Sequence, residues 1–203
     1  MIAIIDYGMG NLHSVKNALD FLHIPNVITH DKDCIQQADQ LILPGVGAFP
    51  DCMKNLKEHD LIDVLNQEVL LKKKPILGIC LGMQALFEES EEGTITKGLG
   101  FLKGRIVKMK DEQVKIPHIG WNLLEAQQAH PLFSRLPRPF VYYVHSYYLQ
   151  EYQQADILGC SRYGQLIIPG LVKHNNIVGA QFHPEKSATD GLTILKWFQE
   201  ECR

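Results

Sequence analysis

Residues 2–5, Ile-Ala-Ile-Ile, are apolar without alternation, the pattern of a short strand covered on both faces. Asn11 then precedes a segment in which Leu12, Val15, Leu19 and Leu22 recur at helical spacing, with Pro25 beyond its end. The chain therefore opens as a strand followed by a helix capped by Asn11. "NVITH" and "QLILPG" read as two more strands, Asp60 opens a helix whose apolar side carries Leu61, Val64, Leu65 and Val69, and "PILGI" is the next buried strand. Strands alternating with helices at this pace predict a parallel sheet with helices on both faces, because parallel strands need crossover connections. Sites in such sheets lie at the carboxyl ends of the strands.

Beyond about residue 100 the texture changes. "GRIVKMK", "FVYYVHSYYL", "DILGCSRYG", "LIIPGLVKH" and "NIVGAQFH" are strand-like, with "HNN" as a hairpin turn, so the second half is richer in antiparallel pairing. Residues 188–200, carrying Leu192, Leu195, Trp197 and Phe198, close the chain as a helix. No repeat, low-complexity tract or linker interrupts it. With 203 residues, 45% of them hydrophobic, the chain has material for one sizeable core, and a single domain over 1–203 is expected.

Charge and cysteine usage narrow the class. A net charge of -3 offers no basic field for a phosphate backbone, so nucleic acid is not an expected partner. Five cysteines, at 34, 52, 80, 160 and 202, are odd in number, scattered and without a CxxC pair, which fits a reducing, cytoplasmic setting. "MIAII" is cut short by Asp6 with no basic residue before it. No apolar run approaches about 18 residues. Neither a signal peptide nor a membrane span is expected.

The chemistry gathers around "PILGICLGMQALFEES". Gly78-Ile79-Cys80-Leu81-Gly82 has the form of a nucleophile elbow, a tight strand-to-helix turn with small residues two before and two after the raised side chain. A thiol there faces unpaired N–H groups at a helix start, which favour the thiolate, and the Leu81 N–H is placed to hold an oxyanion. An ordinary buried thiol flanked by turn glycines is the plainer alternative. A cysteine nucleophile needs a base and the base an orienting group. "QFHPEKS" offers both. His183 and Glu185 are two apart, and Pro184 favours extended backbone at His183, so both side chains are expected on one face; taken alone, a histidine such as His183 is more often simply half-buried. "LPGVGAF", residues 43–49, is another strand end entering a glycine-rich turn, whose backbone either directs a second N–H at the oxyanion or is a loop without a catalytic part. No HExxH, HxH or Cys/His spacing calls for a metal.

"GICLGMQ" followed about a hundred residues later by "QFHPEKS" resembles the class I, or triad, glutamine amidotransferases. "DYGMGN" at 6–11, "PGVGAF" at 44–49 and "PHIGWN" at 117–122 are similar to one family within that class, the glutaminase subunits of imidazole glycerol phosphate synthase. The resemblance covers essentially the whole chain. It implies an α/β, flavodoxin-like three-layer fold, with a mixed, mostly parallel central sheet, helices on both faces and an antiparallel portion in the second half. It implies that Cys80 attacks the glutamine side-chain amide, His183 passes a proton to the departing ammonia and Glu185 orients the histidine, with no cofactor. Gly45, Val46 and Gly47 are implied as the oxyanion strand beside Leu81, whose peptide must turn toward the substrate. Gln84, Glu92 and the backbone of His145, Ser146 and Tyr147 are implied as substrate contacts. The implied partner is a (β/α)8 cyclase that receives the ammonia, with Asn11, Trp121, Asn122, Tyr142 and Lys186 at or near that interface. From residue type alone, Trp121 is a large apolar residue more often found in a core, and Lys186 has a plain alternative as a solvated surface residue.

The triad by itself does not separate this family from amidotransferases serving anthranilate, guanylate or pyridoxal phosphate synthesis, or from a paralogue with another sugar-modifying partner. A free cysteine hydrolase would need no partner, and a binding subunit of the same fold would keep no chemistry.

Overall fold

Strand β1 (Ile2–Ile5) sends Ile2 and Ile4 to one side and Ala3 and Ile5 to the other, and all four are buried. That two-sided burial repeats in β3 (Gln40–Gly45) and β4 (Ile76–Cys80) and sets the architecture. A computed structural model describes residues 1–201; Cys202 lies outside them. The central sheet has eight strands, with β2 (Asn26–Thr29) and β14 (Ile177–Ala180) on either side of the β1-β3-β4 trio. These five run parallel. Antiparallel strands β13 (Leu166–His174), β12 (Ile157–Tyr163) and β9 (Glu125–Ala126) extend the sheet beyond β14. The "HNN" turn is the β13–β14 hairpin, with Asn175 at φ +52°.

One layer holds α1 (Leu12–Phe21) and α7 (Ala188–Glu201), which pack Val15, Leu19, Ile194, Leu195, Trp197 and Phe198 against Ile2, Ile4, Ile42 and Leu77. The opposite layer holds α2 (Lys32–Gln37), α3 (Phe49–Glu58), α4 (Leu61–Leu65) and α5 (Leu81–Ala85), covering Ala3, Ile5, Leu41 and Leu43. The three-layer expectation is met. Its details differ in two places. Asn11 occupies the first cap position of α1 but its side chain makes no capping hydrogen bond. The helix opened by Asp60 is α for one turn and continues over Asn66–Leu71 as a π-helical stretch. Within it the buried Glu68 carboxylate pairs with Lys72 at 2.7 Å and Lys74 at 2.8 Å.

The remaining elements sit around the sheet. Strands β5 (Glu89–Ser90), β6 (Thr96–Lys97), β7 (Arg105–Lys108) and β11 (Tyr147–Gln150) form a small second sheet. Strand β8 (His118–Leu123) and β10 (Phe140–His145) form an antiparallel ribbon, and α6 (Pro131–Arg135) lies between them in the chain. Among the described residues no helix is long and apolar enough to cross a membrane.

Candidate active site

Strand β4 ends on Cys80, and the turn into α5 holds that residue at φ +53°, ψ −109°, outside the regions a side chain occupies without strain. The flanking glycines allow the turn. A Cβ on Gly82 would fall 1.8 Å from the Leu43 carbonyl oxygen, and one on Gly78 would fall 2.7 Å from the backbone of Gly82 and Met83. Strand β3 delivers the other half of the site in register, since Gly45 pairs with Cys80. The sulfur is buried, 3.7 Å from the Val144 carbonyl oxygen, and the Gln181 amide donates to it at 3.9 Å.

His183 follows the end of β14 and brings its ring to that sulfur. Its Nδ1 bonds Glu185 Oε1 at 2.8 Å, which leaves Nε2 as the nitrogen that meets Cys80. His183 is extended, as Pro184 requires, but Glu185 does not reach it by strand alternation. Residues Pro184–Lys186 form a 3-10 turn, closed by Lys186 N–H donating to the His183 carbonyl at 3.0 Å, and the turn folds the carboxylate back onto the ring. The second Glu185 oxygen is buried with no hydrogen-bond partner among the described residues, so the charge is directed at the imidazole. Burial alone pulls the His183 ring down. Its hydrogen bonds to Cys80 and Glu185, with the charges of both, outweigh that and raise its pKa to about 10. The favoured state is an imidazolium whose proton faces the sulfur.

Cys80 and His183 open on a cleft of about 310 Å³. Val46, Gly47 and Leu81 line it on the oxyanion side, Gln84 and Glu92 on another, and His145, Ser146 and Tyr147 close it, with Lys186 at its border. Gly45 lies behind Val46 rather than in the wall. Glu92 Oε2 accepts from the Phe49 N–H at 2.8 Å, at the start of α3. Gln84 Nε2 donates to the Tyr147 carbonyl and to Gln181 Oε1, each at 3.0 Å, so both its amide hydrogens are committed and its oxygen is the group left for a ligand. "DYGMGN" packs against the oxyanion turn: Tyr7 Oη–H donates to Pro44 O at 2.9 Å, and a Cβ on Gly47 would strike the Met9 methyl at 2.7 Å.

Sequence reasoning missed Gln181, which ties Gln84 to the sulfur. The only signal for it was its place two residues before His183. Trp121 is not a core residue; it is 53% exposed on the β8–β10 ribbon, where its ring meets Tyr142 edge-on at 5.9 Å. Ile119, Phe140 and Val144 share that outward face. Asn122 is half-buried and turns its amide inward, and Asn11 sits beside Gly10, itself packed on Pro44.

Two more histidines lie under the ribbon. Burial lowers His118 to about 4 and, with the neighbouring His118 and His183 outweighing a bond to Tyr147 O, holds His145 at about 3. The unfolded chain takes up protons near pH 6.5 that these rings refuse when folded, so their contribution is complete above that pH and is lost as pH falls toward 4. Urea unfolding between pH 7 and 4.5 should show this fall. In His118→Phe the slope should be shallower by up to about 1.4 kcal/mol per pH unit, one proton's worth; an unchanged slope would mean His118 protonates freely when folded. The His183 contribution has the opposite sign, present below 6.5 and lost as pH rises through about 10.

Comparison with known proteins gives the family. A family model described as glutamine amidotransferase class-I matches residues 3–202. A curated relative from Oceanobacillus iheyensis, named imidazole glycerol phosphate synthase subunit HisH, is 50% identical over 204 residues, covering 100% of both chains. One of the same name from Bacillus cereus is 52% identical over 200 residues, covering 98% of this chain and 94% of its own. Among solved structures, a glutamine amidotransferase superposes with a TM-score of 0.78 over 100% of this chain and 99% of its own at 19% identity, a likeness of fold.

Proposed function

This chain belongs to the class I glutamine amidotransferase family, and on that premise we propose that Cys80, His183 and Glu185 split the side-chain amide of glutamine in the cleft that Cys80 and His183 border. The chain is a glutamine amidotransferase that serves imidazole glycerol phosphate synthesis in the histidine pathway, and its full-length relatives are named imidazole glycerol phosphate synthase subunit HisH. The observation that carries the assignment of residues is the imidazole of His183 held between a sulfur and a carboxylate at the carboxyl edge of the parallel strands. The Cys80 sulfur attacks the amide carbon, and the proton on His183 passes to the departing nitrogen. Ammonia leaves and a glutamyl thioester remains. The neutral His183 then takes a proton from water, the hydroxide attacks the thioester, and glutamate departs as the sulfur is restored. The Leu81 N–H and the turn at Gly45, Val46 and Gly47 stabilise the oxyanion, while Gln84, Glu92 and the backbone of His145, Ser146 and Tyr147 hold the substrate.

Ammonia is readily protonated in water and is then no nucleophile, so the product must pass directly to a partner. We propose a (β/α)8 cyclase subunit as that partner, in a cytoplasmic heterodimer. The outward face of the ribbon supports this: Ile119, Trp121, Phe140 and Val144 form an apolar patch, and Val144 also lines the cleft. Lys186 borders the same opening. Purified cyclase with its ribonucleotide should raise glutamine hydrolysis by orders of magnitude. Trp121→Asp should weaken the complex at least about thirtyfold, the loss of a buried aromatic anchor. A complex indifferent to Trp121→Asp would move the interface off the ribbon; glutamine left intact with and without cyclase would end the reading.

A further inference from the structure

We infer that the buried imidazoles of His118 and His145 form a directional hydrogen-bond relay that positions the Tyr147 carbonyl and, through it, the Gln84 amide, making His118 a positioning residue that acts on the cleft from outside it. The inference rests on reading the cleft as a glutamine site.

The two rings stand opposite each other across the β8–β10 ribbon. The direction of every bond follows from the carbonyl at one end. Tyr147 O can only accept, so the 2.8 Å contact requires a proton on His145 Nδ1. In the neutral ring Nε2 is then an acceptor, and the partner 3.1 Å away, His118 Nδ1, must be the donor. That fixes His118 Nε2 as an acceptor in turn, facing the Asn122 amide nitrogen at 3.4 Å. The same nitrogen donates its other hydrogen to Arg162 O at 2.8 Å. One set of tautomers satisfies all of these contacts. A second proton on either ring would set two donors against each other, and burial of both rings keeps them neutral.

The relay ends where the catalytic groups begin. Tyr147 O accepts from His145 and from Gln84, and Gln84 in turn orients Gln181, whose amide reaches the sulfur. An imidazole was not needed for packing. His118 lies against Tyr143 and Tyr163, with ring centroids 4.6 and 4.0 Å away, a slot that phenylalanine would fill. Only a side chain with a donor facing His145 completes the chain of bonds.

Packing and donation can be separated with two variants of the full chain. His118→Phe keeps the stacked ring and loses the donor; His118→Asn keeps a donor near the Nδ1 position and loses the stack. The readout is the rate at which diazo-oxo-norleucine labels Cys80 across a concentration series, beside the thermal midpoint. In the Phe variant, labelling efficiency should fall about tenfold, the worth of one hydrogen bond, mostly through a higher half-saturating concentration, while the thermal midpoint drops by only a few degrees, less than in the Asn variant. The Asn variant should melt lower yet label within about threefold of wild type. Labelling that follows stability instead, or falls equally in both, overturns the relay. Nitrogen-15 NMR of the wild-type rings decides it without a variant: both protons should sit on Nδ1, and a proton on Nε2 of either ring overturns it. Wild-type protein that takes no label would sink the glutamine reading, and the tautomers would still judge the relay.

Discussion

Cys80→Ala should lose glutamine-dependent turnover by at least about 10⁴-fold, the scale on which removing a covalent nucleophile acts. Synthesis by the assembled enzyme supplied with ammonium salt should persist. The two outcomes belong together because the sulfur serves only the release of ammonia. Alanine removes the attacking atom while leaving the turn in place: its backbone at φ +53° is no more strained than that of cysteine, and the glycines that admit α5 beside β3 are untouched. The thermal midpoint should therefore stay within a few degrees, which separates lost chemistry from lost fold. Diazo-oxo-norleucine should add one covalent label to wild type and none to Cys80→Ala. A variant that still takes the label, with the adduct mapped elsewhere, would remove Cys80 from its role.

Much of this site was legible because local sterics dictate it. A cysteine two residues from glycine on each side, directly after an apolar strand, describes a turn that few other sequences make, and the structure builds it at the end of β4. The pairing of His183 with Glu185 was legible in residue type, but its path was not. Strand alternation would put residues i and i+2 on one face, whereas here the extended His183 precedes a 3-10 turn that folds Glu185 back onto it, and Pro184 is compatible with either path. Strand β8 was passed over for a different reason. Its apolar residues Ile119 and Trp121 face outward while His118 is buried and Asn122 turns inward, the reverse of the alternation by which a half-buried strand is recognised. A surface reserved for a partner and an interior committed to hydrogen bonds invert the pattern together. Helix α3 carried its signal openly, in Phe49, Cys52, Met53 and Leu56, yet stood in the shadow of the glycine-rich turn before it. Gln181 left almost no trace, because an amide acts through direction rather than charge.

Gly82→Ala should be the most damaging conservative change outside the triad. Two effects oppose each other. Alanine is favoured over glycine inside a helix by about 1 kcal/mol, and Gly82 lies in α5. Against this, the new methyl would sit 1.8 Å from Leu43 O and 2.7 Å from Leu43 C. Those atoms are backbone, held in register by the pairing of β3 with β4, and no rotamer change relieves the contact. The overlap is far beyond what a core absorbs at about 1–3 kcal/mol, so a net loss of at least about 3 kcal/mol is expected. For a chain of this length that corresponds to a thermal midpoint lower by roughly 6–12 °C. Activity should fall further than stability requires. The only relief is to push α5 away from β3, which separates Cys80 and the Leu81 N–H from the turn at Gly45, Val46 and Gly47. Gly93→Ala is the matching control: nothing lies within 4 Å of its Cβ, and φ +71° exposes it only to backbone strain of about 1 kcal/mol. If Gly82→Ala melts and labels like wild type, β3 and α5 are not in the close approach that lifts the sulfur into the cleft.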